Sequence, residues 1–310
     1  MVLTLLTAIL SACSTRGKEP VASPGVPTTA APVRLAPPVL WIPGAGEPEP
    51  ALKQAAATTV GLLATYDKGD GTVAATQARL ARAGQPAALA DAVGPLLHAS
   101  SASAADVVYP QLGGLSGDRA SVMVVLRQRL LSGSEIRAVS RTLDVRLARQ
   151  NGGWVAESVA SAGGDEVPSP PDLTGPAAQV LGSPAIELPD SARWDVLAGR
   201  VDRRVLDLLL ALAAEHKLAV TVFATGHPLE VFGTKSTSNH TKGRAVDIWA
   251  VDGVPLAQQR QATSPLRALA AGLLSRGVTE LGAPWDVDGP GGAGFTNVVH
   301  HDHLHLGFDG

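Results

Sequence analysis

The chain contains little cysteine, few aromatic residues and no run of basic residues. Cys13 is the only cysteine in 310 residues, so no internal disulfide can form and a disulfide-stapled scaffold is excluded. Aromatic residues make up 4% of the chain, and its formal net charge is −3. Without a basic run or an aromatic ladder, we expect no nucleic acid among its partners.

Long hydrophobic runs are also missing. The apolar stretch at residues 1–12 is shorter than the roughly 20 residues that span a bilayer, but it is typical of the core of a secretion signal. Leu10-Ser11-Ala12-Cys13 resembles the lipobox of bacterial lipoproteins. The resemblance implies a signal peptide over residues 1–12, a lipid on Cys13, and a secreted protein anchored to the outer face of the bacterial cytoplasmic membrane. The alternative is an uncleaved apolar N-terminus with a free thiol.

The rest of the composition is that of a globular protein with room for two domains. Hydrophobic residues make up 45% of the chain and charged residues 17%. Residues 13–48 are rich in Pro, Ser, Thr, Ala and Gly, which predicts a disordered tether because such a segment buries too little apolar surface to fold. A second Gly- and Pro-rich stretch predicts a linker at 166–190. The two stretches delimit a first domain at 49–165 and a second at 191–310.

The first domain has helical patterns followed by strand patterns. Alanine- and leucine-rich segments predict helices over 51–66, 72–83 and 86–100. Apolar or alternating segments predict strands over 120–130, 140–149 and 154–159, the last two joined by a hairpin turn. Helices followed by an antiparallel sheet predict an α+β domain, which loosely resembles the nuclear-transport-factor-2-like (cystatin-like) fold.

The second domain alternates helices, short strands and two long loops. An apolar stripe after Asp202 predicts a helix, and a second helix is predicted at 265–276. The predicted strands cover 218–224, 247–251, 278–281 and 302–308. The predicted loops cover 226–239 and 282–296. We expect an α+β domain with a central antiparallel sheet, whose loops carry the functional residues.

Two short runs near the end of the chain, 238–248 and 301–308, concentrate histidine. In the second run His303 and His305 alternate with leucines, so a strand would place both imidazoles on one face. In the first run Asp247 lies in an apolar strand pattern, where an isolated carboxylate is costly to bury. A metal ion would supply the missing positive charge. Two imidazoles and one carboxylate suit Zn²⁺, with a fourth position open for water.

At these residues the sequence resembles the D-Ala-D-Ala metallopeptidase family, whose zinc site is shared with lysostaphin-type endopeptidases and the Hedgehog signalling domain. The resemblance covers roughly 190–310 and rests on a His-x-x-Gly-x-Ala-x-Asp pattern beginning at His240, followed by His303-x-His305. It implies that His240, Asp247 and His305 bind zinc. It also implies that His303 is the catalytic proton-transfer residue.

The sequence departs from the family where relatives usually carry an arginine that positions substrate. The matching stretch, 225–228, contains His227 and no arginine. Lys235 and Arg244 are the nearest candidates to bind a substrate carboxylate. The equal alternative is that both are solvent-exposed charges of the loop. Ser238 is a further candidate to bind substrate, and its hydroxyl could form hydrogen bonds in the loop or in the site.

Other polar residues near the two runs are weaker candidates. We expect His300 and His301 to lie at the rim, and Asp302 to point away from the zinc with a role at the surface or behind the ligands. Glu230 and Asp286 lie in the predicted cleft loops.

Two functional classes follow from these patterns. The first is a zinc metallopeptidase of the cell envelope that cleaves peptidoglycan stem peptides, as a D,D-carboxypeptidase or an endopeptidase. The second is a cell-wall-binding lipoprotein that keeps the zinc without turnover. A third possibility is that the first domain is the functional module and the zinc domain positions it. Fold alone does not decide among them, and the oligomeric state stays open.

Overall fold

The computed structural model of the protein describes Gly17 and residues 33–310. The predicted signal peptide at 1–12 and the predicted lipidation site Cys13 lie outside the described residues. Residues 33–48, which composition assigned to the tether, run along the folded body, where the Val39 amide donates to Asp106 and the carboxylate of Glu47 pairs with Lys53. Residues 33–48 therefore belong to the folded body and not to a disordered tether.

The N-terminal half opens with two helices, α1 (Pro50–Ala64) and α2 (Val73–Arg82), as the composition predicts. The Thr72 hydroxyl accepts a hydrogen bond from the Ala75 amide and so caps α2. The third predicted helix, 86–100, is replaced by short 3₁₀ helices at Ala87–Ala92 and Gly94–Leu96. Gly and Pro at 94–95 explain the difference, because proline lacks the amide that a longer helix would use.

Four long antiparallel strands form the N-terminal sheet. They are β1 (Ala102–Ser116), β2 (Arg119–Ser132), β3 (Glu135–Gln150) and β4 (Gly153–Ser161), in the order β1-β2-β3-β4. The sequence patterns predicted the last three but not β1. That strand contains Pro110 and two successive glycines and shifts register at two points, between Val107 and Tyr109 and between Leu112 and Gly114. Proline is tolerated because β1 is an edge strand.

The C-terminal half is built on a seven-stranded sheet. Its helices are α3 (Gly175–Gly182), α4 (Asp190–Leu197), α5 (Arg203–Ala213) and α6 (Pro265–Leu274). Its strands are β5 (Ile186–Glu187), β6 (Leu218–Val222), β7 (Ala245–Val251), β8 (Val254–Pro255), β9 (Glu280–Gly282), β10 (Gly294–Phe295) and β11 (Leu304–Gly307). The order is β10-β9-β11-β7-β6-β5, with β8 paired to β7. The central strands run antiparallel and the outer pairs, β10-β9 and β5-β6, run parallel.

Each sheet has its own hydrophobic core, and the protein is an α+β protein with antiparallel sheets, as predicted. Val180 of α3 is fully buried in the C-terminal core. The stretch 166–190, predicted as a linker, therefore contains α3 and β5 of the C-terminal half. Among the described residues, no helix is long and apolar enough to cross a bilayer.

The two halves touch along β1 and β3. Tyr109 of β1 stacks on Trp249 of β7 with ring centroids 4.6 Å apart. The Thr142 hydroxyl of β3 donates to the backbone oxygen of Thr221 in β6 at 2.6 Å. Contact clustering places residues 33–310 in one unit. The N-terminal sheet thus lies directly behind the strands that carry the predicted ligands.

Candidate metal site

Three ligand atoms from the two motif runs converge on one point. His240 Nε2 lies 3.1 Å from Asp247 Oδ1 and 3.0 Å from His305 Nδ1, and those last two atoms are 3.0 Å apart. Ligands at zinc-binding distances in a tetrahedral site lie about 3.3 Å from one another. The spacing therefore fits a single metal ion held by two imidazole nitrogens and one carboxylate oxygen.

Strand register explains why these residues meet. His305 of β11 lies directly opposite Asp247 of β7 in an antiparallel pair, so their side chains emerge side by side on one face. His240 is brought to the same face by the turn that precedes β7. That turn needs Gly243, whose φ is +71° and whose missing side chain leaves room for the backbone oxygen of Arg200, 1.8 Å from where a Cβ would stand.

Hydrogen bonds behind the ligands determine which nitrogen of each histidine faces the metal point. His240 Nδ1 lies against the backbone oxygen of Phe223, which can only accept, so Nδ1 donates and Nε2 keeps its lone pair. His305 Nε2 faces Glu280 Oε2 at 3.4 Å, and this carboxylate favours a proton on that nitrogen. Asn239 Nδ2 donates to the same Glu280 oxygen at 2.6 Å. Both histidines thus have the partners that orient metal ligands.

The charges of the site favour an ionised Asp247. Burial opposes its ionisation, but the neighbouring imidazoles of His240, His303 and His305 outweigh burial and hold the pKa of Asp247 well below its usual range. Burial lowers the pKa of His305, yet Asp247 and Glu280 outweigh it and raise the pKa of His305 to about 9 in the metal-free protein. The hydrogen bond from His305 is the main reason that the pKa of Glu280 falls to about 2. Asp247 and Glu280 are therefore the two ionised carboxylates beside the ligand atoms.

His303 lies beside the cluster and is held from behind. Its Nδ1 is 2.7 Å from Asp302 Oδ1, and its Nε2 is 3.8 Å from Asp247 Oδ2. Asp302 is fully buried and pairs through its second oxygen with Lys53 Nζ of α1 at 2.7 Å. Lys53, also fully buried, lies over the ring of Tyr109. Of the two roles left open for Asp302, the structure supports the one behind the site.

The structure brings His240, Asp247, His303 and His305 together, each less than a tenth exposed. The motif predicted a strand from 302, whereas β11 begins at Leu304 after a 3₁₀ turn at Val298–His301. His303 therefore precedes the strand, yet its ring still turns to the same side as His305.

The residues predicted to bind substrate lie in the segment that leads into β7. Ser238 is buried and accepts from the His240 amide at 3.2 Å, so it stabilises the loop. Lys235 is an exposed loop residue, and the Arg244 guanidinium lies beside Gly310. Asp286 accepts from the Gly289 amide within its own loop.

Two more histidines lie close to the cluster. The His227 ring stacks on His240 with centroids 3.8 Å apart, and a ligand atom of His227 lies within 4.8 Å of those of His240 and Asp247. Burial, with a smaller contribution from the neighbouring His240, lowers the pKa of His227 well below its usual value, so His227 is neutral. His300, predicted at the rim, has its ring 5.0 Å from that of His303 and packs against Gly282. The three residues His227, His240 and Asp247 could hold a metal ion.

A cavity of about 620 Å³ adjoins the cluster at His227. Loop residues 224–234 form one wall, and Arg146 of β3 forms part of the other. The Arg146 guanidinium pairs with Asp144 at 2.6 Å and lies over the Phe232 ring. Glu230, a candidate from the sequence, also lines the cavity. His227 is thus shared by the cavity and the metal-binding group.

Comparison with protein-family models, curated proteins and solved structures finds no match. The resemblance to the D-Ala-D-Ala metallopeptidases accordingly stays a prediction that rests on the two motifs. The geometry of the cluster stands independently of it.

Proposed function

We propose that the cluster binds Zn²⁺ and that the protein is a cell-envelope metallopeptidase that cleaves peptidoglycan stem peptides, as a D,D-carboxypeptidase or an endopeptidase. The observation that carries the proposal is the convergence of His240, Asp247 and His305 within 3.0–3.1 Å, with His303 beside them. The choice of substrate rests on the motif resemblance. We extend the proposal to the folds: a zinc-peptidase fold for the C-terminal half and a nuclear-transport-factor-2-like fold for the N-terminal half.

The chain's own residues have distinct roles in such a reaction. Zinc, when bound, acts as a Lewis acid that polarises a carbonyl and acidifies water. Asp302 holds Nδ1 of His303, which leaves Nε2 directed at the cluster to take a proton from the attacking water. The same nitrogen returns that proton to the departing amine. Burial of the ligands excludes bulk water and strengthens each charge interaction.

We place the substrate peptide in the cavity beside His227. Arg146 of the N-terminal half is the cation within that cavity, and it replaces the arginine that relatives carry on the loop. Its bond to Asp144 fixes the guanidinium in place. In this proposal Lys235 and Arg244 do not bind substrate.

The location follows from the N-terminal sequence. A lipid on Cys13 would anchor the protein to the outer face of the cytoplasmic membrane, within reach of peptidoglycan. Mass spectrometry of the membrane fraction, compared with Cys13→Ser, tests this part. A diacylated N-terminal peptide that begins at Cys13 is the expected result, and an unmodified Met1 peptide in the soluble fraction would contradict it.

The first test measures zinc content and muropeptide cleavage in the same preparations. We expect one zinc per chain in the wild type and none in Asp247→Ala, with the exposed Asp207→Ala as a matched control. His303→Ala should keep the zinc but lose cleavage by about 10²–10⁴-fold, whereas His216→Ala on the surface should keep both. A wild type without zinc under metal-replete conditions would exclude the proposal.

One observation favours a second function, a zinc-containing cell-wall-binding lipoprotein without turnover. His227 lies close enough to serve as a fourth protein ligand, which would close the position that catalysis needs. In that case the visible spectrum of the Co²⁺ form should change in His227→Ala, and the wild type should bind muropeptides without cleaving them. Cleavage by the wild type excludes this alternative.

A further inference from the structure

The N-terminal half reaches into the metal site through one buried side chain. Gln111 of β1 is fully buried, and its Nε2 donates to Asp247 Oδ2 at 2.7 Å. The other oxygen of that carboxylate, Oδ1, is the one that faces His240 and His305. Gln111 therefore holds the back of the carboxylate whose front faces the metal point.

The amide of Gln111 is fixed at both ends. An ionised carboxylate only accepts hydrogen bonds, so the NH₂ group must face Asp247. The Gln111 Oε1 atom accepts from the Thr221 hydroxyl of β6. The backbone oxygen of Thr221 in turn accepts from Thr142 of β3. The side chain is thus clamped between the two halves, and rotation of the amide would break both of its bonds.

The next residue on β1 supports the second carboxylate of the site. The Leu112 amide donates to Asp302 Oδ2 at 3.0 Å, and Asp302 holds His303. The register of β1 shifts between Leu112 and Gly114. Bulges of this kind re-aim neighbouring groups and are frequent beside active sites. Two consecutive residues of one strand therefore serve two different carboxylates.

We propose that Gln111 is a positioning residue for the ligand Asp247, and that β1 of the N-terminal half completes the metal centre. This inference rests on the proposed metal site and adds a second part of the chain to it. Without Gln111, Asp247 Oδ2 would lose its donor and the carboxylate could rotate away from the point that His240 and His305 share. Partners of this kind typically change metal affinity by about 10–100-fold when they are removed.

The experiment compares Gln111→Met, Gln111→Glu and Gln128→Met in the full chain. Gln128 is an equally buried glutamine of β2 that bonds Leu96 and Ser103 away from the site. Zinc affinity of the metal-free protein is measured by competition with a chromophoric chelator, and the visible spectrum of the Co²⁺ form reports ligand geometry. Thermal unfolding of each metal-free variant checks the fold.

We expect zinc affinity to fall by about 10–100-fold in Gln111→Met, with an altered Co²⁺ spectrum. Gln111→Glu should lose more, because it places a second carboxylate against Asp247. Gln128→Met should lower the melting temperature without changing zinc affinity. A folded Gln111→Met variant with wild-type affinity and spectrum would overturn the inference while leaving the metal site intact.

A second variant covers the case in which Gln111→Met does not fold. Thr221→Val removes the hydroxyl that holds Gln111 Oε1 but leaves Asp247 and Gln111 in place. We expect zinc affinity to fall several-fold, and unchanged affinity in this variant would count against the inference. A wild type that binds no zinc would overturn both this inference and the proposed function.

Discussion

The two halves of the molecule contribute to the site in different ways. The C-terminal half supplies the atoms that face one another, from β7, β11 and the turn before β7. The N-terminal half supplies groups that hold two carboxylates of the C-terminal half from behind: Gln111 contacts Asp247, and Lys53 contacts Asp302, the partner of His303. The ligands lie in two short sequence runs, which neighbouring strands bring to one face of the sheet. Their supports need only be close in space, so they come from residues about 135 to 250 positions earlier in the chain.

The largest effect on stability should come from Lys53, on the N-terminal side of this comparison. Lys53→Met leaves Glu47 and Asp302, both almost completely buried, without a cation. We expect a loss of about 3–5 kcal/mol in the free energy of unfolding, measured by urea denaturation. Arg137→Met, which breaks the exposed pair with Glu166, is the control and should cost less than about 1 kcal/mol. A Lys53→Met variant as stable as the control would contradict the proposed support of Asp302 by the N-terminal half.

A somewhat smaller effect is expected on the C-terminal side, at Gly243. Gly243→Ala combines a left-handed backbone with a clash against the Arg200 oxygen. We expect a loss of about 2–4 kcal/mol, together with weaker zinc binding because His240 lies on the same turn. Gly253→Ala has a similar φ of +77° but open space around the new methyl group, so it isolates the backbone cost of about 1–2 kcal/mol. Equal losses at both positions would show that the clash is relieved by movement of the turn.

The pH dependence of stability tests the contact between the halves. Burial disfavours ionised Asp302, but the charge of Lys53 and the hydrogen bond from His303 hold the pKa of Asp302 below its usual value. Its contribution to stability is therefore complete above the unfolded pKa of about 3.9 and is lost as the pH falls through the lower folded value. We expect the difference in melting temperature between the wild type and Asp302→Asn to be largest at pH 5–7 and to shrink below pH 4.

A difference that stays constant between pH 3 and pH 7 would contradict this expectation. It would indicate that the loss in Asp302→Asn comes from shape rather than from charge.

The smallest effects concern substrate recognition. We expect Arg146→Met of the N-terminal half to raise the KM for muropeptides by about tenfold, because a hydrogen bond to a charged group is worth roughly 1.5–3 kcal/mol. Lys235→Ala and Arg244→Ala of the C-terminal half should change KM by less than about twofold. A larger rise in KM for Lys235→Ala or Arg244→Ala than for Arg146→Met would indicate that the C-terminal half binds the substrate. The N-terminal half would then only support the metal site.

The C-terminal half was the more predictable of the two from the sequence. Alternation of histidine with leucine placed His303 and His305 on one side, and the apolar surroundings of Asp247 indicated a buried charge with a partner. Both signals arise because strand side chains alternate and because buried carboxylates need compensation. From the sequence, His227 was notable only as part of the stretch 225–228 that lacks an arginine, because a single loop histidine forms no periodic pattern.

The N-terminal contribution was not predictable in the same way. The strand β1 was missed because serine, Pro110 and the glycines that follow are typical of turns, and alanine is disfavoured in strands. Pairing with β2 on one side, at an edge where proline is tolerated, stabilises the strand despite its weak local preference. Gln111 lies in that strand, so its contact with Asp247 could not be predicted either.

The sequence by itself determined the α+β class, most helices and strands, and the residue types of a possible metal site, because these depend on local periodicity and on the chemistry of each side chain. Only the tertiary structure decided that Lys53 and Gln111 meet Asp302 and Asp247, and that the ligand atoms lie 3.0–3.1 Å apart. Such contacts join residues far apart in the chain. Their formation depends on how the two sheets pack, which no local pattern encodes.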